Sequence, residues 1–300
     1  MTPPTKPGRR VLVTGHRGFS GHYVTEALSR EGFDVVGLTV DGGLDTAAID
    51  ILDRQDVMAA VAAIRPTHVI HLAAIAFVAH GDAEEMYRVN VVGTRNLLEA
   101  LAKHVPDIEH VLLASSANVY GNSDQEVLSE GLPPRPANDY AVSKIAMEYM
   151  ARLWMPHVPI TLVRPFNYTG VGQADQFLLP KVVGHFRRGE RAIELGNIDV
   201  AREFQDVRFV ASVYVRILKA PPAGDAVNLC SGISISLTDV IRAMESIAGY
   251  AIDVKVNPAF VRANEVARLT GDTRRLVAMI GPLDTIPLEE TLRWMYAHAG

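Results

Sequence analysis

Tyr140 and Lys144 stand four residues apart in Tyr140-Ala-Val-Ser-Lys144. On a helix that spacing puts both side chains on one face, about a turn apart. A lysine cation so placed lowers the pKa of a phenol, ordinarily about 10. The tyrosine can then give or take a proton near neutral pH, as reversible hydride chemistry at a carbinol carbon requires. Ser116, at the end of an apolar run, adds a hydroxyl with two readings: a donor to the same developing alkoxide, or a cap on the next segment. The spacing alone is common among proteins, so its meaning depends on what binds beside it.

The first forty residues indicate what binds. Arg10–Thr14 reads as a short buried strand, running into Gly15-His-Arg-Gly18-Phe-Ser-Gly21 and then into a helical pattern from His22 to Arg30. Glycines at that junction let the backbone turn sharply and approach a pyrophosphate, and the helix N-terminus offers it N–H donors. The spacing is GxxGxxG, a variant of the usual GxGxxG dinucleotide fingerprint. The loop residues Gly15, Arg17, Gly18, Phe19, Ser20 and Gly21 are therefore cofactor candidates. A second strand, Asp34–Thr39, ends where a carboxylate would bond the ribose 2′-hydroxyl of NAD; Thr39 stands there instead, with Asp41 two residues on. Arg17 is either the partner of a 2′-phosphate or a solvated loop arginine. The balance favours NADP(H), with NAD(H) the alternative.

The elements that must position these groups alternate. Strands are expected at Thr46–Ile51, His68–Leu72 and His110–Ala114, and helices at Gln55–Ile64 and from about Ala83 to Lys103. Asn138–Trp154 then reads as a helix and Pro159–Arg164 as a strand. Alternation at this spacing predicts an α/β fold, a Rossmann-type doubly wound parallel sheet with right-handed crossovers. Beyond residue 165 the pattern loosens into helices at Gln176–Arg188, Val207–Lys219, Leu237–Ala248 and Pro287–His298, with a strand at Ala226–Cys230. This predicts a smaller C-terminal substrate lobe interleaved with the sheet domain. Ligands of such sheets bind at the carboxyl ends of the strands. The glycine loop, Ala73-Ala74, Ser115-Ser116 and Arg164-Pro165-Phe166-Asn167 all follow strands and are expected to converge there.

Composition bounds the alternatives. Three hundred residues, 48% hydrophobic and 21% charged, suffice for a large core, and a net charge of −5 argues against nucleic acid as the main partner. No apolar stretch reaches membrane-spanning length, and the N-terminus lacks the apolar core of an export signal, so a cytoplasmic location is expected. The single cysteine, Cys230, excludes an internal disulfide framework. His68 and His71 fall three apart on a strand and face opposite sides, so no metal site is expected.

In combination and order, TGHRGFSG (14–21), DILD (50–53), HLAA (71–74), VNVVGTRNLL (89–98), SSANVYG (115–121), YAVSK (140–144) and RPFNYTGVGQ (164–173) resemble the extended short-chain dehydrogenase/reductase family over nearly the whole chain. The resemblance implies a Ser116, Tyr140, Lys144 catalytic triad. It implies adenine contacts at Asp50 and Ile51, further cofactor contacts at Leu72, Ala73, Ala74 and Pro165, and an Asn90 that supports the lysine through water. Residues 8–165 then form the dinucleotide-binding domain, with 203–230 returning to it, and 166–202 with 231–300 form a nucleotide-sugar lobe.

GNIDVAREFQDVRFV (196–210), VNLCSG (227–232) and VRANEV (261–266) are similar to the branch acting on GDP-6-deoxyhexoses, its reductases more than its 4,6-dehydratases. By that likeness Asn118, Asn167, Lys181, Arg202, Arg262 and Glu265 contact a GDP-linked 6-deoxyhexose. The arginines suit a diphosphate, although surface arginine is the plainer reading, and Lys181 shares its helix with a basic face. Ala263 and Phe209 depart from the branch, which usually has proline and aspartate there. Dehydratases of the family carry an acid directly after the triad serine; here Ala117 and Asn118 follow, and neither is an acid or base. A 4-keto reductase is thus expected ahead of a 4-epimerase, a dehydratase or a non-catalytic cofactor sensor. Family members commonly dimerise through the two helices carrying Val91, Val92, Leu97, Met147 and Met150, so a homodimer is expected.

Overall fold

The strands of the central sheet form around apolar middles: Val11, Leu12 and Val13 are fully buried, as are Val69, Ile70 and Val111 to Leu113. Strands covered on both faces carry continuous apolar runs of this kind. The computed structural model describes residues 9–39, 46–76, 82–198, 200–258 and 268–298. Along the chain these form β1 (Arg10–Thr14), α1 (Phe19–Arg30), β2 (Asp34–Thr39), β3 (Thr46–Ala48), α2 (Arg54–Ile64), β4 (His68–His71), α3 (Ala83–Tyr87), a π-helical segment (Arg88–Gly93) and α4 (Thr94–His104). There follow β5 (His110–Ala114), a 3-10 turn (Ala117–Tyr120), α5 (Asp139–Arg152), β6 (Ile160–Pro165), β7 (Tyr168–Thr169), α6 (Leu178–Arg187), β8 (Ala192–Leu195), β9 (Ala201–Arg202) and β10 (Gln205–Asp206). The remainder is α7 (Val207–Lys219), β11 (Ala226–Leu229), β12 (Ile235–Ser236), α8 (Leu237–Ala248), β13 (Asp253–Val256), β14 (Arg268–Leu269), α9 (Arg274–Ile280) and α10 (Leu288–His298).

The seven-stranded sheet has the order β11-β6-β5-β4-β1-β2-β3. The pairs β3–β2, β2–β1, β1–β4, β4–β5 and β5–β6 all run parallel. The strand order reverses between β1 and β4, and the carboxyl ends at such a switch point are where α/β sheets bind dinucleotides. Gly15 leaves β1 and Leu72 leaves β4 at that point, and Leu72 N–H donates to Thr14 O at 3.1 Å.

Helix ends follow local chemistry. Asp53 caps α2 by accepting from the N–H groups of Gln55 and Asp56, Asn138 caps α5 through Ala141 N–H, and Ser236 caps α8 through Asp239 N–H. The helix expected from Ala83 to Lys103 contains the π-helical turn, and the strand expected over Thr46–Ile51 stops at Ala48. No described helix is long and apolar enough to cross a membrane.

The chain forms two compact units, one of residues 1–119, 138–164 and 211–227, the other of 120–137, 165–210 and 228–300. Residues 120–137, which lie inside the 8–165 span expected to form one domain, thus fall in the second unit. The cause is pairing: Leu128 N–H donates to Thr270 O, and its own carbonyl accepts from Asn228 Nδ2 at 2.8 Å. Residues 203–210 and 228–230 likewise lie in the second unit, not in the returning segment.

The first unit's core gathers Leu12, Leu97, Leu101, Val111, Leu113, Met147 and Leu162. Leu97 and Met147, two of the residues offered for a dimer contact, are therefore core; Val92 is exposed, as are Val142 and Tyr149 on α5 and Leu153 just past its end. The second unit's core packs α6, α8 and α10 around Phe186, Ile193, Val240, Met244 and Leu292.

Candidate active site

The glycine loop is shaped for close approach. Gly15 has φ +70°, and a Cβ there would sit 2.8 Å from Ala73 N; one on Gly21 would sit 2.1 Å from Gly15 O. Neither position admits a side chain. Gly18 N–H closes the turn onto Gly15 O at 3.0 Å, and α1 starts at Phe19 with no acidic residue in its first turn. A helix start of this kind presents the positive end of its dipole and its first N–H groups to an anion. Phe19 packs edge-on against Tyr23. Arg17 is exposed at the loop tip, and Thr39 ends β2 with a buried Oγ1 that has no hydrogen-bond partner among the described residues. The His16 ring lies over Gly37 of β2, so a Cβ at Gly37 would meet it at 2.4 Å. Burial lowers the His16 pKa. Asp50 is exposed and accepts from Leu52 N–H, while Ile51 packs under Gly93.

Behind this loop runs a hydrogen-bond chain whose direction is fixed. Thr94 Oγ1 donates to Asn90 O at 2.8 Å, so His71 Nε2, 2.8 Å from the same oxygen, must carry the ring proton and donate. His71 Nδ1 then accepts from Thr14 Oγ1 at 2.6 Å, and Thr14 Oγ1 accepts from Ala73 N–H at 3.2 Å. Burial holds the imidazole neutral, with its pKa lowered to about 3, and the Lys144 charge adds to the shift. Asn90 lies in the π-helical segment, an element often found at functional sites. Its Nδ2 donates to Ser143 Oγ and to Ile75 O, and its Oδ1 accepts from Ile75 N–H. Ser143 Oγ in turn donates to Tyr140 O. Direct bonds thus join Asn90 to the helix turn that carries Tyr140. Thr14, His71 and Thr94 were not singled out as site residues in the sequence, and their only signal there was polar side chains among buried strand and helix positions.

The triad candidates share this unit. Tyr140 and Lys144 both lie on the buried face of α5, at 7% and 4% exposure, and Lys144 Nζ lies 5.9 Å from the Tyr140 ring centre. Lys144 Nζ donates to Ala114 O, the last residue of β5, at 2.9 Å. That bond ties the lysine to the strand end from which Ser116 follows. Burial pushes the Lys144 pKa down to about 8, opposed by the Glu148 carboxylate. Ser116 Oγ accepts from both the backbone N–H and the side-chain Nδ2 of Asn118, each at 3.1 Å. The serine therefore caps the 3-10 turn, and its hydroxyl proton remains the group to donate. Ala117 is buried at 2% exposure.

The remaining candidates lie in the second unit. Asn167 O accepts from Gln205 N–H, and Pro165 ends β6. Lys181 Nζ donates to Glu194 O at 2.8 Å, tying α6 to β8, and Arg202 Nη1 donates to Ala201 O. Phe209 is buried. Arg262 and Glu265 lie outside the described residues. Among the described residues no group of His, Cys, Asp and Glu is arranged to hold a metal. Burial places Cys230 in the interior and drives its thiol pKa far up.

Residues 11–230 match the model of the NAD dependent epimerase/dehydratase family. The chain belongs to the NAD-dependent epimerase/dehydratase family. Within this family it is 33% identical to GDP-6-deoxy-D-talose 4-dehydrogenase of Aggregatibacter actinomycetemcomitans, over 91% of each chain. It is equally 33% identical to GDP-6-deoxy-D-mannose reductase of Pseudomonas aeruginosa, over 95% of each. The solved structure of RMD from Pseudomonas aeruginosa complexed with NADPH superimposes with a TM-score of 0.83 at 30% identity, covering 97% of both chains. A solved Burkholderia cenocepacia chain superimposes with a TM-score of 0.91 at 48% identity, covering 98% of both. As a member of the epimerase/dehydratase family the chain is an NAD(P)-dependent enzyme. The glycine cradle that no Cβ can enter fits such a dinucleotide.

Proposed function

We propose that this enzyme reduces the 4-keto group of a GDP-4-keto-6-deoxyhexose, with Ser116, Tyr140 and Lys144 as its catalytic residues. The observation that carries the reading is the Lys144–Ala114 bond, which sets a buried cation one turn from Tyr140 and beside the serine loop. Two relatives whose names place them on GDP-6-deoxyhexoses support the substrate class. Arg17, Thr39 and the NADPH-bound neighbour support NADP(H) over NAD(H). The glycine loop, Asp50, Ile51, Leu72–Ala74 and Asn90 would hold the dinucleotide, which would supply hydride. Tyr140 gives its phenolic proton to the carbonyl oxygen as charge develops there. Ser116 donates to the same oxygen, which stabilises that charge where it appears. Lys144 holds positive charge beside the phenol and favours its ionised form once the proton has left. Asn167, Lys181, Arg202, Arg262 and Glu265 are assigned to the nucleotide sugar. Exposed Val92, Val142, Tyr149 and Leu153 support pairing of two copies.

The test is oxidation of NADPH and NADH with GDP-4-keto-6-deoxymannose made in situ by a dehydratase, followed by NMR of the product. Rapid oxidation is the expected outcome. Oxidation of neither cofactor, with GDP-sugars still bound, would overturn the reductase reading in favour of a 4-epimerase. Tyr140→Phe should bind the cofactor as before and lose about 10²–10⁴-fold in turnover, the usual share of a general acid.

A further inference from the structure

Below Lys144 on the same stripe of α5, one further turn along, lies Glu148, and the chemistry described above gives it no part. Glu148 is 4% exposed and faces Arg164 of β6, also 4% exposed. Arg164 Nε donates to Glu148 Oε1 at 2.8 Å and Nη2 to Oε2 at 2.6 Å. Ser115 Oγ donates to Oε1 at 2.5 Å. Helix α5 is therefore fastened to the β5 exit at two successive turns: Lys144 grips Ala114 O, and Glu148 grips the hydroxyl of the residue immediately before Ser116.

Stability alone does not explain a buried ion pair here. Desolvating both charges offsets most of their attraction, and apolar residues of like volume are often equally stabilising. The charge therefore needs another use. We propose that Glu148, oriented by Arg164, is a positioning residue for proton transfer: it fixes the serine loop against α5 and keeps an anion one turn from the lysine. The proposal rests on the triad reading above. The anion opposes the desolvation that drives Lys144 toward its neutral form. The groups facing Lys144 are Tyr140 and Glu148 on α5 and His71 on β4, and Arg164 faces Glu148 from β6. Of these only Glu148 supplies negative charge, since His71 is neutral and Tyr140 is a phenol while it holds its proton.

The sequence holds a signal for this residue, since Tyr140, Lys144 and Glu148 continue one four-residue spacing. The experiment compares Glu148→Gln, Ser115→Ala and Ser115→Thr with the wild type, using a 4-keto nucleotide sugar that the wild type turns over. Glu148→Gln should lower kcat about tenfold, leave KM for the cofactor nearly unchanged, and move the alkaline limb of the pH–rate profile about one unit lower. Ser115→Ala should lower kcat by several-fold, on the order of the cost of a small misplacement, without moving that limb. Ser115→Thr, which keeps the hydroxyl, should restore it.

Wild-type kcat and an unmoved alkaline limb in both Glu148→Gln and Ser115→Ala, with Tyr140→Phe inactive, would reduce the pair to scaffold and overturn the proposal. An active Tyr140→Phe would instead remove the triad reading on which it rests. If Glu148→Gln does not fold, the Ser115→Ala and Ser115→Thr pair decides: loss with rescue supports the positioning role, and unchanged kcat in both overturns it.

Discussion

Two buried carboxylates, one in each unit, are satisfied in different ways. Glu148 in the first unit faces a guanidinium that donates to both its oxygens, with one hydroxyl added. Glu203 in the second unit, wholly buried, accepts from Ser231 N–H at 2.6 Å, Ser231 Oγ at 2.9 Å, Gly232 N–H at 3.2 Å and Gly271 N–H at 2.6 Å. Burial raises the Glu203 pKa, and those donors pull it back only in part. A guanidinium joins one side chain to another across a helix and a strand. Peptide N–H groups gather loops. Glu203 accordingly draws together backbone near residues 231 and 271, where glycines are needed: Gly232 has φ +76°, and a Cβ on Gly271 would meet Cys230 at 2.5 Å. The first unit thus spends a cation to hold two regular elements, and the second spends an anion to organise turns.

The contrast is sharpest when one partner is removed. Arg164→Met leaves Glu148 buried without its counter-charge and should cost about 3–5 kcal/mol in urea unfolding. Adding Glu148→Leu should return much of that loss. A single variant as stable as the wild type would show that Glu148 is not held as an ion. Glu203→Gln is milder, because the amide keeps one acceptor oxygen; about 1–3 kcal/mol is expected from the N–H groups left unpaired.

A third effect is read from pH. His71 and His110, pushed down to about 3 and about 4, stay neutral in the folded chain while the unfolded chain takes up protons near 6.5. Stability should therefore fall as pH drops below about 6.5, by up to about 1.4 kcal/mol per unit for each histidine. Glu203 works against this slope. Its folded pKa is raised, so the folded chain holds the proton more tightly, and its contribution shrinks as pH rises above the ordinary value of 4.5. Glu203→Gln removes that opposing slope, so unfolding free energy measured from pH 6.5 down to about 4.5 should fall more steeply than in the wild type. An unaltered slope would mean that Glu203 is ionised throughout that window.

The same contrast explains what the sequence discloses. In the first unit the glycine loop lies between adjacent strand and helix, and Tyr140 and Lys144 lie within one helix, so short-range spacing carries both. The sheet strands bury both faces and read as apolar runs. In the second unit β7, β9, β10, β12 and β14 are two residues each, too short to show a period of two. Glu203 meets partners 28 and 68 residues away, a relation that no local pattern records. The segment 120–137 follows the same rule, since Leu128 pairs at 270 and 228. Even in the first unit, the threonine–histidine chain and the Ser115–Glu148–Arg164 cluster link separate elements; the sequence puts Ser115 and Arg164 at strand ends and Glu148 one turn past Lys144, but no local pattern joins the three.

The chain from Ala73 N–H through Thr14, His71 and Thr94 to Asn90 O has a spectroscopic consequence. A ring proton donated to the fixed hydroxyl oxygen of Thr94 in a dry interior exchanges slowly with water, so His71 Nε2–H should give a separate downfield line in the proton NMR spectrum of the resting enzyme. The chain begins at the amide of a residue packed against Gly15. That line should therefore shift when the dinucleotide proposed for the glycine loop is added, before any sugar is supplied.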